Sequence, residues 1–255
     1  MKQALVCASF GTTVENGQLD LLSVENALHD VAGNCEFACA VTSRVIRKRL
    51  AMRGQMTESL PEVLQRLCDA GYAEVAVQPT HLLYGYEYDK IKAEIAPYND
   101  RFNRLRLGEP LLANTQDLQN VAAALAQSYP RQDAEALVLM GHGTEHSAGV
   151  VYPALQSVFA LQGRPDVFVA TVEGWPLLSQ IIPQIQAGGY RKVHLVPLLL
   201  VAGDHACHDM AGESPDSWKN QLESLGFTVR CTLKGLGRLP AVQQLYCAKL
   251  NKMLE

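Results

Sequence analysis

Two stretches of this chain occur twice, in the same order. ALVCASFGT (4–12) aligns without gaps to ALVLMGHGT (136–144) at an offset of 132 residues. GYAEVAVQPTHLLYGYE (71–87) aligns to GYRKVHLVPLLLVAGDH (189–205) at an offset of 118. Shared positions include Gly71/Gly189, Tyr72/Tyr190, Val75/Val193, Pro79/Pro197, Leu82/Leu200 and Gly85/Gly203. One such pair could arise by chance; two in the same order mark an internal duplication. The chain is therefore expected to fold as two similar halves with a cleft between them.

Each half alternates β-rich apolar runs with segments of helical periodicity. In the first, ALVCASF (4–10), EFACAVT (36–42), YAEVAVQP (72–79) and RLRLGEPLL (104–112) carry strands. Leu21, Val24, Leu28 and Val31 recur at helical spacing ahead of Gly33, and Ser59-Leu60-Pro61 opens a further helix that Gly71 ends. In the second, ALVLMGHG (136–143), DVFVATV (166–172), KVHLVPLLL (192–200) and FTVRCTL (227–233) are strands, and a helix is expected to open at Pro176. Strand and helix in alternation with short connections predict an α/β fold, each domain a parallel sheet flanked by helices. The polar SYPRQD (128–133) divides an N-terminal domain, 1–128, from a C-terminal one, 129–255, whose terminal helix is free to pack across onto the first.

Bulk properties exclude several classes. With 255 residues, 48% hydrophobic, the chain can build a large core. The net charge of −4 and the lack of a basic stripe argue against nucleic acid as a partner. No run reaches the ~18 apolar residues of a membrane span. MKQALVCASFGTT reads as a strand entering a turn better than as a leader, so a cytoplasmic location is expected. Seven scattered Cys with no CxxC pair read as reduced thiols.

The duplication also shows where the halves differ. Phe10 corresponds to His142, and Glu87 to His205. All four sit just past strand ends, where open α/β sheets present ligands. Each histidine alone would read as a structural residue: GHG as a tight turn, GDH as an Asp-capped helix start. Two at equivalent strand ends of one half favour a shared site. HGTEH is not HExxH, which argues against a zinc-peptidase helix and leaves His146 on the rim. Cys207 and His208 read as non-ligands, His29 as solvated and His194 as packed. Glu173 closes DVFVATVE, where it could cap a helix or face the cleft. Leu82, Tyr84, Gly85, Tyr86, Tyr88 and Trp175 flank these positions and could wall a flat ligand, although core packing is the simpler reading of Leu82 and Leu83. SFGTT (9–13) offers Ser9, Thr12 and backbone N–H groups to an anion but lacks nucleotide-loop spacing. SRVIRKRL (43–50) carries four basic residues, one or two of which could meet carboxylates.

These residues resemble the class II, anaerobic-type sirohydrochlorin cobaltochelatases of the CbiK family. The resemblance runs nearly end to end, through SFGT (9–12), TSRVIRKRL (42–50), GYAEVAVQPTHLLYGYEYDKI (71–91), LGEPLL (107–112), MGHG (140–143), VEGWP (172–176), PLLLVAGDHACHDM (197–210), DSWK (216–219) and GLG (235–237). It implies two ferrochelatase-like domains around a cleft, with His142 and His205 as metal-binding imidazoles, Glu173 near the metal and Glu87 at the site. His81 matches a histidine just before that glutamate. Ser9, Phe10, Thr12, Leu82, Tyr84, Gly85 and Trp175 would line the macrocycle. Tyr86 departs from relatives that carry Asp there.

The implied activity is ATP-independent insertion of Co²⁺ into sirohydrochlorin or a close tetrapyrrole in cobalamin biosynthesis. No cofactor is needed beyond the metal substrate, and a homo-oligomer is allowed. Neutral imidazole suits Co²⁺, Fe²⁺ and Ni²⁺, so a ferrochelatase making sirohaem or haem is the rival enzyme. A tetrapyrrole carrier without turnover and a two-lobed binding protein are the rivals from other classes.

Overall fold

The computed structural model describes all 255 residues and contains two four-stranded parallel sheets. In the N-terminal sheet β1 (Gln3–Ser9), β2 (Glu36–Val41), β3 (Glu74–Pro79) and β4 (Arg104–Leu107) lie in the order β2-β1-β3-β4. In the other, β5 (Glu135–Gly141), β6 (Val167–Thr171), β7 (Lys192–Pro197) and β8 (Thr228–Cys231) repeat it as β6-β5-β7-β8. The register repeats as well. Ala8 pairs with Pro79, and Met140 with Pro197, which are the two sequence offsets, 132 and 118. The turn glycines correspond too: Gly11 and Gly143 have φ of 85° and 86°, and Gly71 and Gly189 have 73° and 72°. A side chain at any of these four would be strained.

Parallel sheets must be covered on both faces, and three apolar cores do this. On the outer face of the first sheet, Ala4, Val6 and Ala8 pack against α3 (Leu60–Asp69) and α4 (Tyr86–Ile95). Ser59 starts α3 with a complete capping box, its hydroxyl accepting from the N–H of Glu62 while the Glu62 carboxylate accepts from the N–H of Ser59. On the outer face of the second sheet, Ala136, Val138 and Met140 pack against α7 (Leu178–Ala187) and α8 (Trp218–Ser224).

The largest core lies between the sheets and belongs to both halves. There α1 (Glu15–Ala32), α5 (Thr115–Ser128), α6 (Val151–Leu161) and α9 (Pro240–Leu254) share one apolar cluster with the inner faces of β1 and β5. The C-terminal helix α9 contacts residues of the first half. Tyr246 Oη donates to the Thr80 carbonyl at 2.7 Å, and Lys249 Nζ reaches Asp117 at 2.6 Å. The short α2 (Arg44–Met52) follows β2, capped by Ser43.

Three local expectations are corrected. Pro176 does not open α7, which begins at Leu178; its carbonyl instead accepts from the N–H and Oγ1 of Thr171, and the Trp175–Pro176 bond is cis. β7 ends at Pro197, and residues 198–203 continue as irregular backbone. Asp204 does not cap a helix: its own backbone is helical, and His205–Met210 form a single π-helical turn. Such turns are rare and concentrate at functional sites.

Candidate metal site

Residues that follow the strands of one sheet touch residues that follow the strands of the other. Arg49 of α2 lies 3.8 Å from Asp204, and His146 Nε2 lies 3.4 Å from Asp89 of α4. The His146 ring also meets Tyr86 edge-on at 5.1 Å, so this histidine stands on the rim, bridging the two halves.

His142 follows β5, and His205 begins the π-helical turn after β7. Although 63 positions apart in the chain, their rings meet edge to face with centroids 4.7 Å apart. The Nδ1 atom of each is committed. That of His142 faces the Gly143 carbonyl at 3.0 Å, and that of His205 faces the Asp209 carboxylate at 2.5 Å. A carbonyl and a carboxylate only accept hydrogen bonds, so both Nδ1 atoms carry the proton. In the neutral ring this leaves the lone pair on Nε2, the arrangement that prepares an imidazole as a metal ligand.

The loop around His142 is built by close backbone packing. The Glu173 N–H donates to the His142 carbonyl at 2.8 Å, the Val172 N–H donates to the Gly141 carbonyl at 3.0 Å, and Tyr152 Oη accepts from the Gly143 N–H at 3.2 Å. A Cβ on Gly143 would fall 1.3 Å from the Glu173 carbonyl oxygen, so only glycine lets the two loops touch. Glu173 is thereby held beside His142 through its backbone, with its side chain exposed. No third His, Cys, Asp or Glu side chain joins the imidazole pair in one ligand group.

Glu87 lies in the first turn of α4, with Oε2 buried, 4.0 Å from Lys90 Nζ and without a hydrogen-bond partner. Nearby, both ring nitrogens of His81 are buried and unpartnered, and burial, with the Lys90 charge, pushes its imidazole down to about 4. The remaining expected cleft residues divide. Phe10 and Trp175 are exposed apolar surfaces at strand ends, 45% and 59% accessible. Ser9 and Thr12 are buried; Thr12 Oγ1 serves its own turn by accepting from the Val14 N–H. Leu82 packs against the central core, Gly85 is the buried N-cap of α4, and Tyr84 sets its ring edge-on to Tyr88 at 4.8 Å.

Of the other histidines, His194 is buried in β7 with Nε2 2.7 Å from Thr232 Oγ1, His29 is exposed with its ring edge on Phe37, and His208 turns to the Asp204 carbonyl. All seven cysteines are free thiols. No helix is long and apolar enough to cross a membrane. The residue that sequence reasoning passed over is Asp209. Its place four after His205 was the available signal, because that spacing puts the two on one face of a helical turn.

Comparison with known proteins places the whole chain in a family. Residues 3–255 match the family model described as cobalt chelatase (CbiK). A sirohydrochlorin cobaltochelatase of Salmonella typhimurium is 36% identical over 260 residues, covering 100% of this chain and 97% of that one. A second, CbiKC of Nitratidesulfovibrio vulgaris, is 36% identical over 238 residues, covering 92% and 84%. Among solved structures, SirB of Bacillus subtilis with Fe³⁺ superimposes with a TM-score of 0.71 at 14% identity, covering 99% of this chain and 96% of that one. CbiX, the terminal enzyme for sirohaem biosynthesis in denitrifying bacteria, gives 0.55 at 15%, with both chains covered in full. The two structural likenesses concern the fold.

Proposed function

The chain belongs to the cobalt chelatase (CbiK) family, and from that premise we propose that it inserts Co²⁺ into sirohydrochlorin without ATP, with His142 and His205 delivering the ion. The observation that carries this reading is the facing imidazole pair, each ring with its Nδ1 proton engaged and its Nε2 open.

Insertion exchanges two pyrrole N–H protons for one M²⁺. The ion must shed water, be held weakly enough to leave, and meet four nitrogens that have lost two protons. Two neutral imidazoles suit borderline Co²⁺ and leave coordination positions open. Glu173, on the loop hydrogen-bonded to His142 and with an exposed side chain, completes or steers the ion's coordination by rotating inward. Glu87, across the cleft with an unpartnered buried oxygen, accepts a pyrrole proton. Phe10 and Trp175 offer apolar surface to the macrocycle face. Imidazole takes Co²⁺, Fe²⁺ and Ni²⁺ alike, so cobalt rests on the family rather than on the donor set.

The test is anaerobic incubation of sirohydrochlorin with Co²⁺ and protein, followed by absorbance. His142→Ala and His205→Ala should abolish insertion while remaining folded by circular dichroism. Near-normal turnover in either variant rejects the assignment. Binding of macrocycle without any metal-dependent spectral change would mark a carrier instead.

A further inference from the structure

Helix α1 buries one row of residues, Gly17, Asp20, Val24, Leu28 and Ala32, against the central core. Four are apolar or small; Asp20 is a carboxylate and is fully buried. Packing alone would favour an apolar residue there, because an ionised group away from water is costly unless its oxygens are satisfied. Its partners all come from the other half of the chain. Oδ2 accepts from the Ala202 N–H at 2.8 Å and from the Gly235 N–H at 2.9 Å. Oδ1 has only the charge of Arg238, whose Nε lies 2.7 Å away without hydrogen-bond alignment, and Arg238 Nη2 donates to the Asn16 carbonyl of α1 at 2.6 Å.

One of these partners, Ala202, lies in the turn that leads to His205, and Gly235 and Arg238 lie on the loop packed beside that turn. Ala202 stands three residues before His205. The loop at 235–237 is stitched to the same turn, with the Leu236 N–H on the Leu199 carbonyl and the Gly237 N–H on the Leu200 carbonyl, both at 2.9 Å. There is no spare room in the joint. A Cβ on Gly235 would sit 2.4 Å from the Leu200 oxygen and 2.6 Å from Asp20 Oδ2, and one on Gly237 would sit 2.4 Å from the Asp20 carbonyl. Irregular backbone at a sheet's end is held by whatever accepts its N–H groups, and here a side chain of the N-terminal half does so.

We infer that Asp20 is a positioning residue for metal delivery: by gripping Ala202, Gly235 and Arg238 it fixes the His205 turn relative to His142 and ties that geometry to the N-terminal half. This rests on the reading of His142 and His205 as the metal-delivering pair. Asp20 touches neither metal nor macrocycle, so its loss should slacken the imidazole pair and leave the apolar walls in place.

The experiment compares Asp20→Ala and Asp20→Asn with the parent protein in two assays, direct Co²⁺ titration without macrocycle and steady-state insertion. Asp20→Ala should weaken Co²⁺ binding and raise KM for Co²⁺ about tenfold or more, with KM for sirohydrochlorin within about twofold. Asp20→Asn keeps a carbonyl for Ala202 and Gly235 and loses only the ion pair, so it should fold normally and fall between the two. A lowered Tm in Asp20→Asn with Co²⁺ affinity and KM unchanged overturns the proposal and leaves Asp20 a purely structural residue. If Asp20→Ala does not fold, the Asn variant decides alone. His142→Ala in the same titration separates the two claims. Retained Co²⁺ binding there rejects the metal site itself, whereas loss there with normal binding in the Asp20 variants rejects only the role of Asp20.

Discussion

The His205 imidazole donates its Nδ1 proton to the Asp209 carboxylate at 2.5 Å, within one π-helical turn. This bond selects the tautomer with Nε2 open and fixes the ring's rotation. Removing such an orienting partner commonly costs 10–100-fold in metal affinity or activity. Asp209→Ala should weaken Co²⁺ binding by about that factor, with Asp209→Asn milder because its amide oxygen still accepts. Titration of both variants with Co²⁺ checks this, and equal affinity in all three proteins would refute it.

Gly143 separates two loops that touch through their backbones. With φ of 86° and the Glu173 carbonyl where a Cβ would go, Gly143→Ala must push residues 141–144 and 172–175 apart. Turnover should fall by about 100-fold or more, since displacements of about 1 Å can cost that much. Gly163→Ala is the control: its φ is also positive, at 77°, but nothing lies within 4 Å of the added carbon. It should lower stability by about 1–2 kcal/mol and spare activity.

Burial, with the Arg230 guanidinium beside it, holds the His194 imidazole down at about 4. His81 is held similarly low by burial and Lys90. Unfolded, both rings protonate near 6.5, so between roughly pH 6.5 and 4 the unfolded chain binds more protons than the folded one. Stability should therefore be intact above pH 6.5 and fall as the pH drops toward 4. Urea unfolding at pH 7.5, 5.5 and 4.5 measures this, and His194→Gln should flatten the slope even if it lowers stability overall.

The two tryptophans report different places. Trp175 is exposed beside the Glu173 loop, whereas Trp218 is buried in the outer core of the second half. Macrocycle binding at the cleft should quench Trp175 emission, and Trp175→Phe should remove most of that change. Quenching that survives the substitution would move the macrocycle away from this loop.

Much of the fold is written locally. Strand and helix periodicities, the Ser59 capping box and glycines at positive φ leave short-range signatures, and their repetition at offsets of 132 and 118 exposes the two halves and their strand ends. His142 and His205 stand out as candidates in the sequence because each is a point where one copy departs from the other, at Phe10 and Glu87. Tertiary structure alone decided the rest. Where polypeptide leaves a sheet, no period predicts its path, so the π-helical turn, the cis Trp175–Pro176 bond and the early end of β7 were invisible. Asp20 and Ala202 are 182 positions apart, and a hydrogen bond over that distance leaves no local pattern. Periodicity and the internal repeat named the candidate imidazoles and the strand ends that carry them. Pairing of β5 with β7 in one sheet sets the two imidazoles edge to face at 4.7 Å, a contact between residues 63 positions apart that only the folded chain makes.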